Sequence, residues 1–368
     1  MKYKNVLHAH SHVAMLGWVY LALYNLFLHA FLTPVALEQP LYRRLFWLAQ
    51  FSVVGMLVSF PIQGYAGFSI AFSTLHVLVS YGFVWRFWRD MKAEGGKVPF
   101  SVLLAKTSLA FMVLSTLGLW LLGPIILTEL KHSALYYMCV QFFLHFQFNG
   151  WFLLGVLALF FRRCENEDIR FNPRLLRWFY GLIMVSTFAT YALAVAWSNP
   201  KPIVFWVNSI GVLVQLAAIV VLVALYRPQA SRVWALLGPW EKGLFAIAAV
   251  GLLLKVGVQS AVAIPQIATI AYTIRNYVIG FIHLVLLGVI SCFIMAQAIN
   301  KGALLPQRPI IRAGLAVFVA GFLLSELLLF LQGTMLWAQI GFMPRYYEML
   351  FGASVLIPVG VVLLVVRK

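Results

Sequence analysis

Residues 277–296 read Tyr277-Val-Ile-Gly-Phe-Ile-His283-Leu-Val-Leu-Leu-Gly288-Val-Ile-Ser-Cys-Phe-Ile-Met-Ala296, without a single Lys, Arg, Asp or Glu. A helix of that length covers about 30 Å, the thickness of a bilayer's hydrocarbon core. Barrel strands are short and alternate, so a continuous run of this kind excludes a β-barrel. The stretch reads as a transmembrane helix carrying one histidine, and an imidazole in hydrocarbon is costly unless it binds something. The same spacing, a histidine and a glycine five residues later, occurs in two other apolar runs: His12-Val-Ala-Met-Leu-Gly17-Trp18 and His145-Phe-Gln-Phe-Asn-Gly150-Trp151.

The whole chain shares this character. Of its 368 residues 63% are hydrophobic and only 10% are charged, against about 25% charged in a soluble domain; its mean hydropathy is +0.93. The sequence predicts an all-α, polytopic membrane domain over residues 1–368, with spans at 8–33, 42–64, 67–89, 99–126, 132–161, 173–197, 202–226, 241–264, 273–298, 309–334 and 346–366. No linker divides it. The amino terminus lacks the apolar core and small-residue cleavage site of a signal peptide. Cys139, Cys164 and Cys292 have no metal or redox spacing.

The net charge of +17 is distributed by loop. One side holds Arg43, Arg44, Arg86, Arg89, Lys92, Lys97, Arg162, Arg163, Arg170, Arg174, Arg177, Arg227, Arg232, Lys242, Lys301, Arg308, Arg312, Arg367 and Lys368; the other holds Lys2, Lys4, Lys131, Lys201, Arg275 and Arg345. Nineteen against six predicts an outside amino terminus and a cytoplasmic carboxyl terminus in a bacterial inner membrane. Short basic loops are a topology signal, so nucleic acid is not an expected partner; lipid is.

This orientation puts His12, His76, His145 and His283 on four helices running from outside to inside, all between the outer surface and about the bilayer centre. Four such histidines can line one or two cofactors. His8 and His10 are expected beside the outer mouth, where His8 shares a helical face with His12; His29 and His132 fall at span ends. On an α-helix, a glycine five residues on is rotated about 140° from its histidine, so close helix packing is its expected use. An apolar slot rich in Phe, Trp and Met with an axial imidazole suits haem. Copper or zinc would need three or four converging ligands.

The segment His10-Ser11-His12-Val13-Ala14-Met15-Leu16-Gly17-Trp18 resembles the His-x-His…Gly-Trp segments of haem-copper oxidase catalytic subunits, in particular those of high-affinity oxidases and nitric oxide reductases. That family is built in a pseudo-threefold arrangement, with metal-site histidines on its second, sixth and tenth helices. Spans 1, 5 and 9 of this chain match these if the family's first helix is absent. The resemblance implies one or two b-type haems, His12 and His283 on opposite faces of the low-spin haem, and His145 beside a copper or non-haem iron. The family's sixth-helix His-Pro-Glu-Val-Tyr pattern and seventh-helix histidine pair have no counterpart, and Phe281 replaces the histidine expected two residues before His283. These departures favour nitric oxide over oxygen as the gas. His10 could face a second haem, and His76 could oppose His10 or pair with His145; His145, His76 and His8 are the candidate metal ligands. A cytochrome c or quinol donor and further membrane subunits are implied as partners.

Glu326 and Lys255, each at mid-span, and Gln259, one turn beyond Lys255, are candidates for a proton path or an interhelical pair. Arg275, two turns outside His283, is a candidate propionate partner. Gln147, Asn149, Asn208 and Gln215 are expected to hydrogen-bond between helices. A haem or copper carrier or sensor that does not turn over presents the same ligands, and a secondary transporter is the other class to weigh. The transporter expectation is two-fold symmetry, whereas the visible repeat is threefold.

Overall fold

The computed structural model describes residues 2–91 and 98–366; Lys92, Lys97, Arg367 and Lys368 of the charge pattern lie outside them. Among the described residues there are eleven helices long and apolar enough to cross a membrane. They are α1 Tyr3–Phe31, α2 Pro40–Gln63, α3 Gly67–Asp90, α4 Phe100–Ile126, α5 Ala134–Asn166, α6 Pro173–Ala196, α7 Pro202–Ala235, α8 Pro239–Ala261, α9 Arg275–Asn300, α10 Pro309–Trp337 and α11 Tyr346–Val365. The chain is a multi-pass membrane protein. The number of spans matches the sequence expectation, but α1 starts five residues before position 8 and α5 runs five beyond position 161. Polar residues at helix ends hid both extensions.

Local chemistry sets the boundaries. Proline opens α2, α6, α7, α8 and α10, where its missing N–H costs nothing because the first turn has no intrahelical acceptor for it. Asn172 caps α6 by accepting from the backbone N–H of Arg174 at 2.9 Å. Gly64, at φ 66°, ends α2 in a conformation that glycine adopts without a Cβ penalty.

The chain forms two compact units. The first comprises Met1–Lys131 and Phe142–Arg170; the second comprises His132–Gln141 and Phe171–Lys368. In the first, α4 presents Ser101, Ser108 and Ser115, seven residues apart and fully buried. Ser101 is bonded to Glu165 of α5 through its backbone N–H at 3.0 Å, and Gln147 of α5 donates to the Ser115 hydroxyl at 2.9 Å. Small residues let the two backbones approach, which is how helices associate without a hydrophobic force between them. In the second unit α10 and α11 cross through Gly314, Gly321 and Gly360. A Cβ on Gly360 would lie 2.6 Å from the backbone nitrogen of Phe318. Asn208 ties α7 to the end of α8 by donating to the Val262 carbonyl at 2.8 Å.

Candidate functional site

The three histidine-glycine repeats share a backbone feature that no sequence period predicts. Immediately after His12, His145 and His283 the helix widens into a π-helical segment: Val13–Val19 in α1, Phe146–Phe152 in α5 and Leu284–Ser291 in α9. Hydrogen bonds in such segments run i→i+5, so each turn takes more residues than the 3.6 of an α-helix. The glycine therefore comes round closer to its histidine, and the rotation of about 140° expected for an α-helix does not apply. Each glycine is also a packing point. An added Cβ would lie 2.9 Å from Val53 at Gly17, 2.6 Å from Phe111 at Gly150, and 2.7 Å from Phe322 at Gly288.

In the first unit, His12 donates from Nδ1 to the carbonyl of His8 at 2.8 Å. A carbonyl only accepts, so the proton sits on Nδ1 and Nε2 keeps a lone pair. The His12 ring lies against Phe60 at 4.3 Å between centroids, and the His8 ring lies edge-on to Tyr65 at 4.8 Å. His8 and His12 thus share the face that their spacing predicts, but the backbone link occupies His12 Nδ1. His10 is exposed on α1, as is His29 near the other end.

His76 of α3 is the most buried histidine, at 2% exposure. Its Nδ1 lies 2.9 Å from the Ser52 hydroxyl of α2, and that hydroxyl donates to the Ala49 carbonyl at 2.6 Å. Ser52 can then only accept from the imidazole, which fixes the proton on Nδ1. Nε2 is left as a bare, buried lone pair without a hydrogen bond. Tyr20 of α1 packs edge-on against the His76 ring at 4.6 Å and lies 6.4 Å from Trp151 of α5. Among the described residues Trp151 Nε1 is also buried without a hydrogen bond. An acceptor from α3 and a donor from α5 are thus left open around one tyrosine. Sequence reading misses Tyr20, Ser52 and Trp151 because a Tyr, Ser or Trp in an apolar run looks like ordinary core.

His145 is buried, and the Asn149 amide approaches its Nδ1 at 3.4 Å from within α5. Asn149 therefore serves its own helix, whereas Gln147 and Asn208 bond between helices as expected. Among the described residues no three His, Cys, Asp or Glu side chains converge to hold a metal ion, so His145, His76 and His8 do not form a shared three-ligand centre.

In the second unit, His283 Nδ1 lies 3.7 Å from the Glu326 carboxylate of α10. The candidate Glu326–Lys255 pair does not form. Among the described residues Lys255 Nζ, buried on α8, has no partner, nor has the Gln259 oxygen one turn away. Glu326 faces α9, where its other oxygen would lie 3.6 Å from a Cβ on Gly280. Arg275 is exposed at the first residue of α9.

A buried imidazole with Nδ1 bonded and Nε2 open is the arrangement of a ligating histidine whose orientation is set by a neighbour. His76 has it, and half-buried His12 shares the bonded Nδ1; both would suit a haem iron. No protein family model matches the sequence, and no characterised relative is detectably similar to it.

Proposed function

We propose that this chain is a haem-binding membrane protein, similar in plan to haem-copper oxidase catalytic subunits, that serves electron transfer or the chemistry of a diatomic gas, nitric oxide before oxygen. The observation that carries this reading is the coincidence of three π-helical segments with the three histidine-glycine repeats. Such segments are rare and recur at functional sites. Three of them, each directly after a histidine in a separate helix, support one type of site used three times.

In this reading His12 and His283 would each ligate b-type haem, and His76 with His145 would serve a further haem or a metal. Haem bound there would supply a one-electron couple and a place for the gas. His8 and Ser52 fix the ligating tautomers of His12 and His76, and the apolar rings of Phe60 and Tyr20 exclude water. Glu326 orients His283 and accepts or returns a proton. A cytochrome c or a quinol is the donor class. The basic loops support an outside amino terminus, which puts these histidines in the outer half of a bacterial inner membrane.

Reduced-minus-oxidised absorption spectra of the purified protein test the proposal. A haem b band is expected, diminished in His12→Ala and in His283→Ala. Unchanged bands in both variants overturn the axial assignment. A band that shifts with carbon monoxide marks an open site. Absence of haem from protein expressed with haem in excess overturns the reading.

A further inference from the structure

The first unit contains a cavity of about 420 Å³ where α1, α3 and α5 end and α4 begins. Its lining includes Phe31, Val35, Gln39, Asp90, Val102 and Arg162. None of these residues belongs to the histidine sites, which lie toward the other ends of the same helices.

The two polar walls are built differently. On one, Arg162 is held by its Nε, which donates to the Ala30 carbonyl at 2.9 Å, with its guanidinium over the Phe31 ring. Among the described residues no carboxylate pairs with it, so within them its positive charge at the cavity has no counter-charge. On the other, Asp90 Oδ2 accepts from Arg86 at 2.7 Å and from Tyr42 at 2.9 Å, and Arg86 also donates to Gln39. The Asp90 charge is thereby balanced, and its carboxylate faces the cavity as an acceptor wall. A ligand filling both walls needs an anionic oxygen group at one end and an N–H donor at the other.

Its depth in the membrane narrows the class further. Trp85 and Trp88, in the turns of α3 just before Asp90, are exposed and carry Arg89 and Lys106 over their rings. Exposed tryptophans flanked by cations mark the headgroup level of a bilayer. The cavity therefore opens where lipid headgroups lie, and its volume is within the range of small-molecule sites.

We infer that this cavity is a binding site for an ethanolamine phosphodiester, the headgroup of phosphatidylethanolamine, with its phosphate on Arg162 and its ammonium on Asp90. Arginine suits the phosphate because its planar donors match the oxygens. Choline has the same charges but no N–H, so it meets Arg162 and fails at Asp90.

Native mass spectrometry of the full chain in mixed micelles provides the test, with phosphatidylethanolamine, phosphatidylcholine and phosphatidylglycerol at equal concentration. Preferential retention of phosphatidylethanolamine is expected, falling by about tenfold or more in Arg162→Gln, which removes a charge-assisted bond. Ala36→Trp, which fills the cavity from its rim, should do the same with unchanged helix content. Equal retention of the three lipids, or wild-type retention in Arg162→Gln, overturns the site. Displacement of the lipid by an equal concentration of water-soluble glycerophosphoethanolamine assigns the cavity to a free phosphodiester and overturns the lipid assignment.

Discussion

The Ser52 hydroxyl stands 2.9 Å from His76 Nδ1 and gives its own hydrogen to Ala49, so one serine decides which nitrogen of a fully buried histidine is free. Removing it leaves Nδ1–H buried and unpaired, at a cost of about 1–3 kcal/mol. Ser52→Ala is expected to lower the denaturation midpoint and, where His76 ligates haem, to weaken retention by about 10–100-fold. Ser52→Thr keeps the hydroxyl and should restore both. Haem content and thermal melts of the three proteins check this.

The repeat glycines should differ in their tolerance of alanine. At Gly150 the new Cβ meets the Phe111 Cβ at 2.6 Å, an atom fixed to the backbone. At Gly288 it meets the far edge of the Phe322 ring at 2.7 Å. Overpacking costs about 1–3 kcal/mol, and Gly150→Ala is expected to lie at the upper end. Phe322→Leu should rescue Gly288→Ala in a double-mutant cycle, with a coupling of about 0.5–3 kcal/mol. An additive cycle would count against the contact.

Deleting Phe148 tests the π-helical segment of α5 directly. Loss of one residue lets the turn close as an α-helix, so helix content by circular dichroism should be retained. His145 then turns away from its present neighbours. Where it serves a cofactor, the matching absorption band is lost from a protein that remains folded. Retention of every band would show that the widened turn is not needed for ligation.

Glu326 and His283 are 3.7 Å apart, close enough for the carboxylate to orient the ring once they close by a few tenths of an ångström. Glu326→Gln keeps an acceptor oxygen and is expected to preserve the haem band attributed to His283. Glu326→Leu should reduce it. Equal spectra in the two variants would refute an orienting role.

Lys255 separates stability from function. A charged side chain at the centre of a span costs roughly 2.5–3.5 kcal/mol on insertion scales, and among the described residues this amine has no partner. Lys255→Met is expected to raise the melting temperature. Should turnover also fall, with Lys255→Arg no better, the residue carries protons; unchanged turnover in Lys255→Met would remove it from any proton path.

The eleven spans are legible because twenty apolar residues without charge have few other uses, and the close packing of the repeat glycines follows from their size. The partners of the buried charges are not legible. Glu326 and Lys255 are the two conspicuous mid-span charges, yet the fold sends one to a histidine and leaves the other alone. Helix rotation decides this, and hydropathy does not encode it. The neighbourhood of His76 is hidden for a similar reason. Ser52 and Tyr20 become polar partners of an imidazole only when α1, α2 and α3 meet. The widening after His12, His145 and His283 leaves only the bare repeat as a trace.

That widening affects how the three helices have to be numbered. One surplus residue turns everything beyond it by about 100° relative to an unbroken α-helix. A helical wheel drawn continuously through Val13–Val19, Phe146–Phe152 or Leu284–Ser291 thus assigns lipid-facing positions to the core on one side of the segment. α1, α5 and α9 are better drawn as two wheels each, joined at the histidine. Grafts, alignments and redesigned surfaces that ignore the join would place half of each helix a quarter-turn out of register.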